Sequence, residues 1–550
     1  MKHLLTSIIL LFGLHTTFGQ QWEIDYQSQS MDQTPVKNSI LLIATPEVSL
    51  ITKRNTNESQ QNFPFERQYI TKRKILSEAH LSLQKKIYTI DSLSSSKQQF
   101  TFHEETKTIA GIRCKKASIV INSNHIILWY TKELPIYGGP ITLGNSLGLI
   151  LEYEINNSRK VTATSIRKNK KVTLENPFLK TIVYEEPLDY RDLIWNSKYT
   201  TISIFKEAQI NFDDTNVSND SILKFANGTV VLKKITLPKL TQDHQVFVDA
   251  RVKSNGDAYD RTGSIFVIDP SDRKNFLQGL ENGANTLPQY TIASGDTYQG
   301  IVRTEDYVPA TELMRFFTSF GVSHYNRIQQ KGKDWYEWTD YRQDVSELSP
   351  LLSDREIYVG VFIGNYDKGG HIVDVNLTIH NQGMNVFKNS KAINLFNTTN
   401  IMEMAGQNYA TLFKDKEGLK MKFYLDEAVK NAHLRYTVTG HGGWENGDEF
   451  VPKNSIITID KEQTQIVLPW RVDCGSYRLF NPASGNFDNG LSSSDLSRSN
   501  WCPGTMTNPF YIPLKDLEAG WHSIQITIPQ GEPEGGSFSA WNISGVLIGN

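Results

Sequence analysis

Two short segments of this chain combine carboxylates with aromatic and basic side chains in a way that could support hydrolysis. The first, residues 256–261, lies between two strand-like runs and ends in Tyr259, Asp260 and Arg261. If these three residues are extended, the Asp260 carboxylate and the Arg261 guanidinium point to opposite faces and do not neutralise each other. An unpaired carboxylate beside an aromatic ring is a candidate general base. The alternative is an aspartate that only closes a hairpin turn.

The second segment, residues 439–450, follows a strand-like run and combines glycines with His441, Trp444, Glu449 and two further carboxylates. Loops on a rigid β-scaffold often carry functional side chains. Histidine and carboxylates also suit zinc or calcium, so a metal site is an alternative. The chain contains no His-x-His or His-x-x-x-His pair. We therefore do not expect a metal site, and no organic cofactor is expected either.

The chain has three cysteines, Cys114, Cys474 and Cys502. In an exported protein a disulfide is permitted, and Cys474 and Cys502 form the natural pair, which leaves Cys114 free. Two buried thiols are the alternative. A bridge would hold the segment that carries Arg498 and Trp501 in a fixed position. There an arginine can bind carboxylate or sugar oxygens, and a tryptophan can stack on a sugar ring. A structural loop with a surface arginine is the simpler interpretation.

The N-terminus has the pattern of a signal peptide, because Lys2 and His3 precede an apolar run over residues 4–14 and small residues follow at 17–19. We expect cleavage near Gly19 and Gln20 and a secreted or periplasmic protein. A buried N-terminal helix is the alternative. No later stretch reaches the roughly 18 apolar residues of a membrane helix.

Composition limits the classes of partner. The 57 Lys and Arg nearly balance the 59 Asp and Glu, so nucleic acid is not expected as a partner. The 10 Trp, 23 Tyr and 26 Phe suit β-sheet cores and, in fewer positions, sugar-stacking surfaces. We expect a monomer that does not insert into a membrane.

The order of short strand patterns predicts an all-β protein of several domains, since 550 residues exceed one ordinary core. A β-rich N-terminal domain is expected over 20–177, a first jelly roll over 185–381 and a second over 385–550. Residues 309–317 are the best candidate for a helix. Strands are predicted over residues 202–205, 230–235, 245–252, 263–268, 356–363, 373–379, 419–424, 433–439, 455–459, 521–528 and 544–548.

From 185 to 550 the sequence resembles the bacterial peptide:N-glycosidase F family, on the segments 257–261, 449–459, 498–504 and 536–548. The resemblance implies two adjacent jelly rolls that hydrolyse the asparagine-to-sugar amide of N-glycoproteins and glycopeptides. Carried over by position, Asp260 is the principal catalytic carboxylate and Glu449 the second one. Arg498 organises the catalytic carboxylate and water, Trp501 is a neighbouring wall residue, and Cys474 and Cys502 match a family disulfide. The expected products are an aspartate-containing peptide and a glycosylamine.

This sequence also departs from the family pattern. It lacks the disulfide before the catalytic aspartate and the one that flanks Glu449. A third family carboxylate has no counterpart in residues 362–364, and Asp367 is the nearest acid. His441 stands where the family has a tryptophan. We expect His441, Tyr259, Arg261, Trp444 and Asp367 to contribute to substrate binding.

The first jelly roll contains an insertion over residues 275–341 whose aromatic side chains could line a substrate rim or bury the insertion itself. Residues 138–151 resemble the GLPGLI family of exported β-rich domains, which implies no chemistry. The larger, second type of peptide:N-glycosidase F carries such an N-terminal domain. Two rival functions stay open: an exported glycan-binding or adhesion protein on the same scaffold, and a copper monooxygenase, which the scattered histidines disfavour.

Overall fold

A computed structural model describes residues 21–29, 40–54, 63–169, 174–270, 274–327, 329–381, 389–409, 411–442, 447–482, 492–533 and 538–550. The predicted signal peptide and Trp444 lie outside these residues. The chain divides into two compact units, with the boundary after Lys198. Strands dominate both units, which confirms the predicted all-β class.

The first unit is built on one antiparallel sheet of eleven strands, in the order β6-β5-β4-β3-β2-β1-β11-β10-β9-β8-β7. Two meanders therefore join where β1 pairs with β11. The strands are β1 (Gln21–Gln29), β2 (Ile40–Ala44), β3 (Ser49–Lys53), β4 (Phe65–Ile70), β5 (Ile75–His80), β6 (Lys86–Asp91), β7 (Thr101–Ile109), β8 (Ile112–Ile121), β9 (Asn124–Thr131), β10 (Leu149–Ile155) and β11 (Arg159–Asn169). The helices are α1 (Ser94–Lys97) and α2 (Pro187–Asn196).

Alternating side chains give this sheet its core. Ile24 and Tyr26 of β1 point to the buried face, and the Tyr26 hydroxyl donates a hydrogen bond to the Ile150 carbonyl at 2.7 Å. At the edge of the sheet formed by β6, Tyr190 of α2 packs on Ile87 and buries it. Period-2 alternation in the sequence thus separates one apolar face from one polar face.

The second unit contains two β-sandwiches, which agree with the predicted jelly rolls. The first has sheets ordered β12-β24-β15-β22 and β13-β14-β23-β16-β21-β30, of which β30 (Met506–Thr507) comes from far later in the chain. Its strands are β12 (Tyr199–Ile210), β13 (Leu223–Phe225), β14 (Val230–Thr236), β15 (Gln245–Ser254), β16 (Thr262–Ile268), β17 (Lys274–Asn275), β18 (Gln289–Thr291), β19 (Thr297–Gln299), β20 (Tyr307–Val308), β21 (Thr311–Phe317), β22 (Thr339–Asp344), β23 (Glu356–Ile363) and β24 (His371–His380). Its helices are α3 (Phe276–Asn282), α4 (Val322–Tyr325) and α5 (Ser349–Leu352).

The second sandwich has sheets ordered β25-β33-β27-β31 and β26-β32-β28-β29. Its strands are β25 (Lys391–Asn397), β26 (Leu419–Leu425), β27 (His433–His441), β28 (Ser455–Ile459), β29 (Gln463–Val467), β31 (Phe510–Pro513), β32 (Gly520–Thr527) and β33 (Ala540–Gly549). Strand β30 (Met506–Thr507) follows β29 in the chain but pairs with β21 of the first sandwich. The described single-turn 3-10 helices are Asn145–Leu147, Pro177–Leu179, Ala226–Gly228, Ala284–Thr286, Ser346–Leu348, Glu403–Ala405, Leu412–Lys414, Cys474–Tyr477 and Ser493–Asp495.

The predicted helix over residues 309–317 is wrong, because this segment forms strand β21. Every residue of β21 is buried, and its Glu312 and Arg315 pair with each other inside the protein. Arg315 also donates hydrogen bonds to Thr439 Oγ1 and to the Asn542 carbonyl of the second sandwich. Good helix formers are therefore held extended by tertiary contacts that outweigh their small intrinsic propensity.

Candidate active site

Three segments that are distant in sequence meet at one end of the two sandwiches. Asp260 lies on the β15–β16 loop, Glu449 on the β27–β28 loop and Arg498 in the segment before β30. Arg498 Nη1 lies 3.4 Å from Asp260 Oδ2, and the same nitrogen donates a short hydrogen bond to Glu449 Oε1. The structure therefore brings together the three residues predicted to be catalytic, with one cation between two carboxylates.

Arg498 is held rigidly, since its side chain is only 1% exposed. Its Nη2 donates to the Ser493 carbonyl at 2.6 Å, and its Cζ lies 4.3 Å from the Trp501 ring centre. Trp501 stacks on Phe317 at 4.2 Å and donates from Nε1 to the Gly440 carbonyl. Trp501 is 4% exposed. The tryptophan predicted to bind substrate thus supports the guanidinium plane, and direct contact with a glycan stays a prediction.

Asp260 is largely buried, and one of its carboxylate oxygens accepts no hydrogen bond from the described residues. Its side chain is 15% exposed, and its buried Oδ2 has no hydrogen-bond donor among the described residues. Burial raises the pKa of Asp260, while the positive charges of Arg498 and Arg261 act in the opposite direction. A water molecule beside this oxygen would find a strong acceptor, because a partly desolvated carboxylate is a better base than one in bulk water.

Glu449 titrates near neutrality. Burial raises its pKa to about 7; the Arg498 charge opposes the shift and the Asp260 charge adds to it. Two carboxylates beside one guanidinium cannot both ionise freely, so their titrations are coupled. The pair therefore changes its protonation near neutral pH.

The loop that carries Asp260 is held by an ion pair within the loop. Arg261 donates from Nε and Nη2 to Asp257 at 2.7 and 3.0 Å, and the Tyr259 amide donates to the same carboxylate at 3.1 Å. Asp257 is 2% exposed. Arg261 is thus engaged by Asp257. Tyr259 itself is exposed.

The insertion supports this loop from outside. The Gly321 amide donates to the Ala258 carbonyl at 3.0 Å, and His324 Nε2 donates to the Gly256 carbonyl at 2.7 Å. Gly256 has φ +147°, and a Cβ there would lie 2.6 Å from Asp367 Oδ1. These contacts show how the loop is fixed without the disulfide that the family resemblance implied.

Asp367 lies in the turn before β24, where its Oδ1 accepts the amides of Gly369 and Gly370 at 2.7 and 2.9 Å. This oxygen is thus already used to close the turn that packs under the Asp260 loop. The predicted contact of Asp367 with substrate stays a prediction.

A buried carboxylate holds the Glu449 loop. Asp448 accepts hydrogen bonds from Trp541 Nε1 at 2.7 Å and from the Gly531 amide at 2.9 Å, and it pairs with Lys453. Gly442, where the loop leaves β27, has φ +84°, and a Cβ there would clash with a backbone carbonyl at 1.6 Å. This loop is therefore held by polar contacts and by a required glycine, without the second family disulfide.

His441 lies beneath the site and is buried. Its Nε2 pairs with Thr439 Oγ1 at 2.7 Å, and its ring lies 5.6 Å from the Trp501 ring. Burial lowers the pKa of His441 to about 3, helped by the charges of Arg315 and Arg498. The imidazole is therefore neutral at pH 7, and its ring packs beside Trp501. The predicted contact of His441 with substrate stays a prediction.

Glu403 and Tyr366 form a pair next to Arg261 that the sequence did not single out. The Tyr366 hydroxyl donates to Glu403 Oε1 at 2.5 Å, and Arg261 Cζ lies 5.4 Å from the Tyr366 ring and 5.3 Å from the Tyr259 ring. Burial raises the pKa of Glu403, whereas the Tyr366 hydrogen bond and Arg261 lower it. Glu403 lies in a 3-10 turn of the second sandwich, outside every recognisable motif, so only its position in space reveals it.

The predicted disulfide between Cys474 and Cys502 is confirmed, and Cys114 is a buried free thiol. Burial raises the pKa of the Cys114 thiol to about 11. Among the described residues, no group of three or more His, Cys, Asp or Glu side chains is arranged to hold a metal ion. The described helices include none that is long and apolar enough to cross a membrane.

Comparison with known proteins identifies the family of this chain. The family descriptions that match are "Peptide-N-glycosidase F, N terminal" over residues 201–379, "Peptide-N-glycosidase F, C terminal" over 408–548, and "N-glycanase peptide, N-terminal domain" over 24–192. A solved structure of PNGF-II is 47% identical over 96% of this chain and 99% of that chain, with a TM-score of 0.87. The chain belongs to the peptide-N-glycosidase F family.

A second PNGF-II structure, in another space group, is also 47% identical, covers 96% of this chain and 98% of that chain, and has a TM-score of 0.81. No curated protein matches the chain. As a peptide-N-glycosidase F family member the protein is a hydrolase of the glycoamidase type, and the purely glycan-binding alternative is not favoured. The resemblance of residues 138–151 to the GLPGLI family stays a prediction, since the N-terminal match is to an N-glycanase domain.

Proposed function

We propose that this glycoamidase hydrolyses the amide between asparagine and the first N-acetylglucosamine of N-linked glycans, with Asp260 as the base. The observation that carries this assignment is the contact of Arg498 Nη1 with both Asp260 and Glu449. Amide hydrolysis needs an activated water, a stabilised oxyanion and a proton for the leaving nitrogen. The three side chains can supply each of these.

Asp260 accepts a proton from water through Oδ2, which receives no hydrogen bond from the described residues although Arg498 Nη1 lies 3.4 Å away, and the water oxygen attacks the amide carbon of the substrate. Arg498 remains cationic and lies beside the position where the tetrahedral oxyanion forms. When the carbon–nitrogen bond breaks, Asp260 returns the proton to the sugar nitrogen. The products are a peptide with aspartate in place of asparagine and a glycosylamine, so all atoms of the water are accounted for.

Glu449 in its ionised form accepts the amide N–H on the sugar side and holds the leaving group in line. Its contact with Arg498 fixes the direction of the carboxylate, and its burial keeps the hydrogen bond strong. Because its pKa is about 7, this role is available above neutrality and is lost as the group takes up a proton.

Glu403, Tyr366, Tyr259 and Arg261 form a polar wall beside Asp260, and we assign it to the first sugars of the glycan. Tyr366 and Tyr259 are more than half exposed, and Arg261 lies between their rings. Exposed tyrosines combine an apolar ring face with a hydroxyl and suit sugar binding. A carboxylate such as Glu403 can accept two hydroxyl hydrogen bonds from one sugar.

The test is mass spectrometry of a defined N-glycopeptide in isotopically heavy water. The wild-type protein should release the glycan and leave one heavy oxygen in the new aspartate. Asp260→Asn should abolish this conversion, while the matched variant Asp243→Asn, which changes an exposed aspartate of the same sandwich outside the site, should retain it. Intact glycopeptide with correctly folded wild-type protein would contradict the assignment.

We also propose that the protein is exported and acts as a monomer on N-glycosylated proteins and glycopeptides. The N-terminal sequence pattern and the Cys474–Cys502 disulfide support export, because disulfides persist in oxidising compartments. Mass spectrometry of the mature N-terminus in cell fractions tests export, and a mature protein that retains residues 1–19 would contradict it. Light scattering of the purified protein tests the monomer, and a dimeric mass would contradict it.

A further inference from the structure

The N-terminal unit contains a cleft of about 580 Å³ at the edge of its sheet, which we name the β4–β6 cleft. Strands β4, β5 and β6 form its floor, and the described segment over residues 175–185 forms its wall. Its volume falls within the range of about 300–1,000 Å³ that is typical of small-molecule sites. None of the residues assigned to the amidase site lines it.

The floor of the cleft is a polar ladder set by strand register. Arg67 of β4 pairs with Glu78 of β5, which pairs with Tyr88 of β6. Tyr69 lies two residues beyond Arg67 and therefore points to the same face. One face thus presents a guanidinium, a carboxylate and two phenols side by side.

Glu78 is the central group of this ladder and is only 7% exposed. Its Oε1 forms a short hydrogen bond with His80 Nε2, and His80 stacks on the Phe65 ring at 4.3 Å. Arg67 Cζ lies 5.4 Å from that same Phe65 ring. The polar side chains are therefore held in place before any ligand arrives, which lowers the entropy cost of binding.

The surroundings of Glu78 perturb both tyrosines. Burial, and next the Glu78 charge, raise the pKa of Tyr69 to about 12, and the same two causes raise the pKa of Tyr88. Both phenols therefore keep their protons at physiological pH and can donate hydrogen bonds. The Tyr88 hydroxyl is hydrogen-bonded to Glu78, which fixes its ring and leaves its oxygen able to accept, while Tyr69 can act as a donor.

The wall of the cleft is tied to the edge strand. The Glu185 amide donates to the Tyr88 carbonyl at 2.8 Å, and Thr89 Oγ1 donates to the Glu185 carbonyl at 2.9 Å. The neighbouring Lys180 forms an ion pair with Glu175. These bonds hold the segment beside the ladder, so the cleft is a formed feature of the unit.

We propose that the β4–β6 cleft is a second, non-catalytic binding site that takes a neutral oligosaccharide of two to three sugar residues. Sugar hydroxyls require fixed donors and acceptors close together, which Arg67, Glu78, Tyr69 and Tyr88 provide. The lining carries three basic and three acidic side chains, so it attracts neither a polyanion nor a polycation. Its mainly polar floor also does not suit a lipid chain.

The test uses the full-length protein and a free reducing oligosaccharide of mannose and N-acetylglucosamine, which contains no asparagine amide. The choice of this probe rests on the proposed function. Hydrogen–deuterium exchange with and without the oligosaccharide should show protection in peptides of β4–β6 and residues 177–185. Calorimetry should show binding that weakens about five- to tenfold for each hydroxyl removed in Tyr69→Phe and Tyr88→Phe.

The matched control is Tyr137→Phe, which removes a phenol of the same unit outside the cleft and should bind as the wild type does. Protection confined to residues 199–550, or binding unaffected by the double variant Tyr69→Phe, Tyr88→Phe, would overturn the proposal. So would the absence of binding at millimolar oligosaccharide. Failure of the proposed function is separate, since it appears as loss of glycopeptide hydrolysis and not as loss of oligosaccharide binding.

Discussion

The pKa of Glu449 makes the pH profile of the enzyme the sharpest test of the mechanism. With a pKa of about 7, Glu449 is about half ionised at pH 7 and about one tenth ionised at pH 6. If the ionised form holds the substrate amide, kcat/KM should fall about tenfold from its plateau to pH 6. The cause is burial, which favours the neutral acid, together with the charge of Asp260.

The perturbation is Glu449→Gln, which keeps an oxygen that can accept from Arg498 but removes the titrating charge. We expect kcat/KM on a defined glycopeptide to drop by about 10²- to 10³-fold, as for loss of a charged transition-state contact. In this variant the fall of kcat/KM on acidification should no longer occur near pH 7. It should occur at lower pH, where Asp260 titrates, because Asp260 is then no longer repelled by a second carboxylate.

The assay measures initial rates of hydrolysis in well-buffered solutions between pH 5 and 9. Circular dichroism at each pH confirms that the protein is folded. Glu403→Gln is the matched control, because it removes another carboxylate with a raised pKa that does not contact Arg498 in the described structure. This control should retain the limb near pH 7. An unchanged limb in Glu449→Gln, or a flat wild-type profile between pH 6 and 8, would refute the reasoning.

Three further predictions follow from the contacts around the site. Trp501→Leu should lower kcat at least tenfold with little change in KM, because it removes the ring that holds Arg498; steady-state kinetics check this, and an unchanged kcat contradicts it. Asp448→Ala should reduce the free energy of unfolding by about 3–5 kcal/mol, since buried donors lose their charged acceptor; an unchanged urea midpoint would rule this out. Reduction of the Cys474–Cys502 disulfide should cost about 3 kcal/mol, and equal stability of the oxidised and reduced proteins in denaturant would count against it.

The polar networks around the two catalytic loops explain how this family member holds its site with one disulfide among the described residues. Asp257 fixes the Asp260 loop and Asp448 fixes the Glu449 loop, each as a buried carboxylate with several donors. Such networks confer rigidity only when every member is satisfied. Single substitutions in them should therefore disturb catalysis more than their distance from the substrate suggests.

Much of the strand pattern was readable because local alternation determines which face of a strand is buried. The runs at 230–235, 356–363 and 433–439 became strands β14, β23 and β27 within a few residues of their predicted bounds. The exception was 309–317, where residues with good helix propensity form β21. Its buried Glu312 and Arg315 find their partners across two sandwiches, and no local window contains that information.

The sequence by itself indicated the all-β class and favoured the cysteine pair, because residue type and alternation are local properties, and it singled out Asp260, Glu449 and Arg498 through the resemblance of their short segments to the family. Only the tertiary structure decided that one guanidinium contacts both carboxylates, that the Trp501 ring packs on Arg498, and that Glu403 of the second sandwich accepts a hydrogen bond from Tyr366 of the first. These facts depend on distances between segments far apart in the chain. Such distances are set by the packing of whole sheets, and neither propensity nor periodicity encodes them.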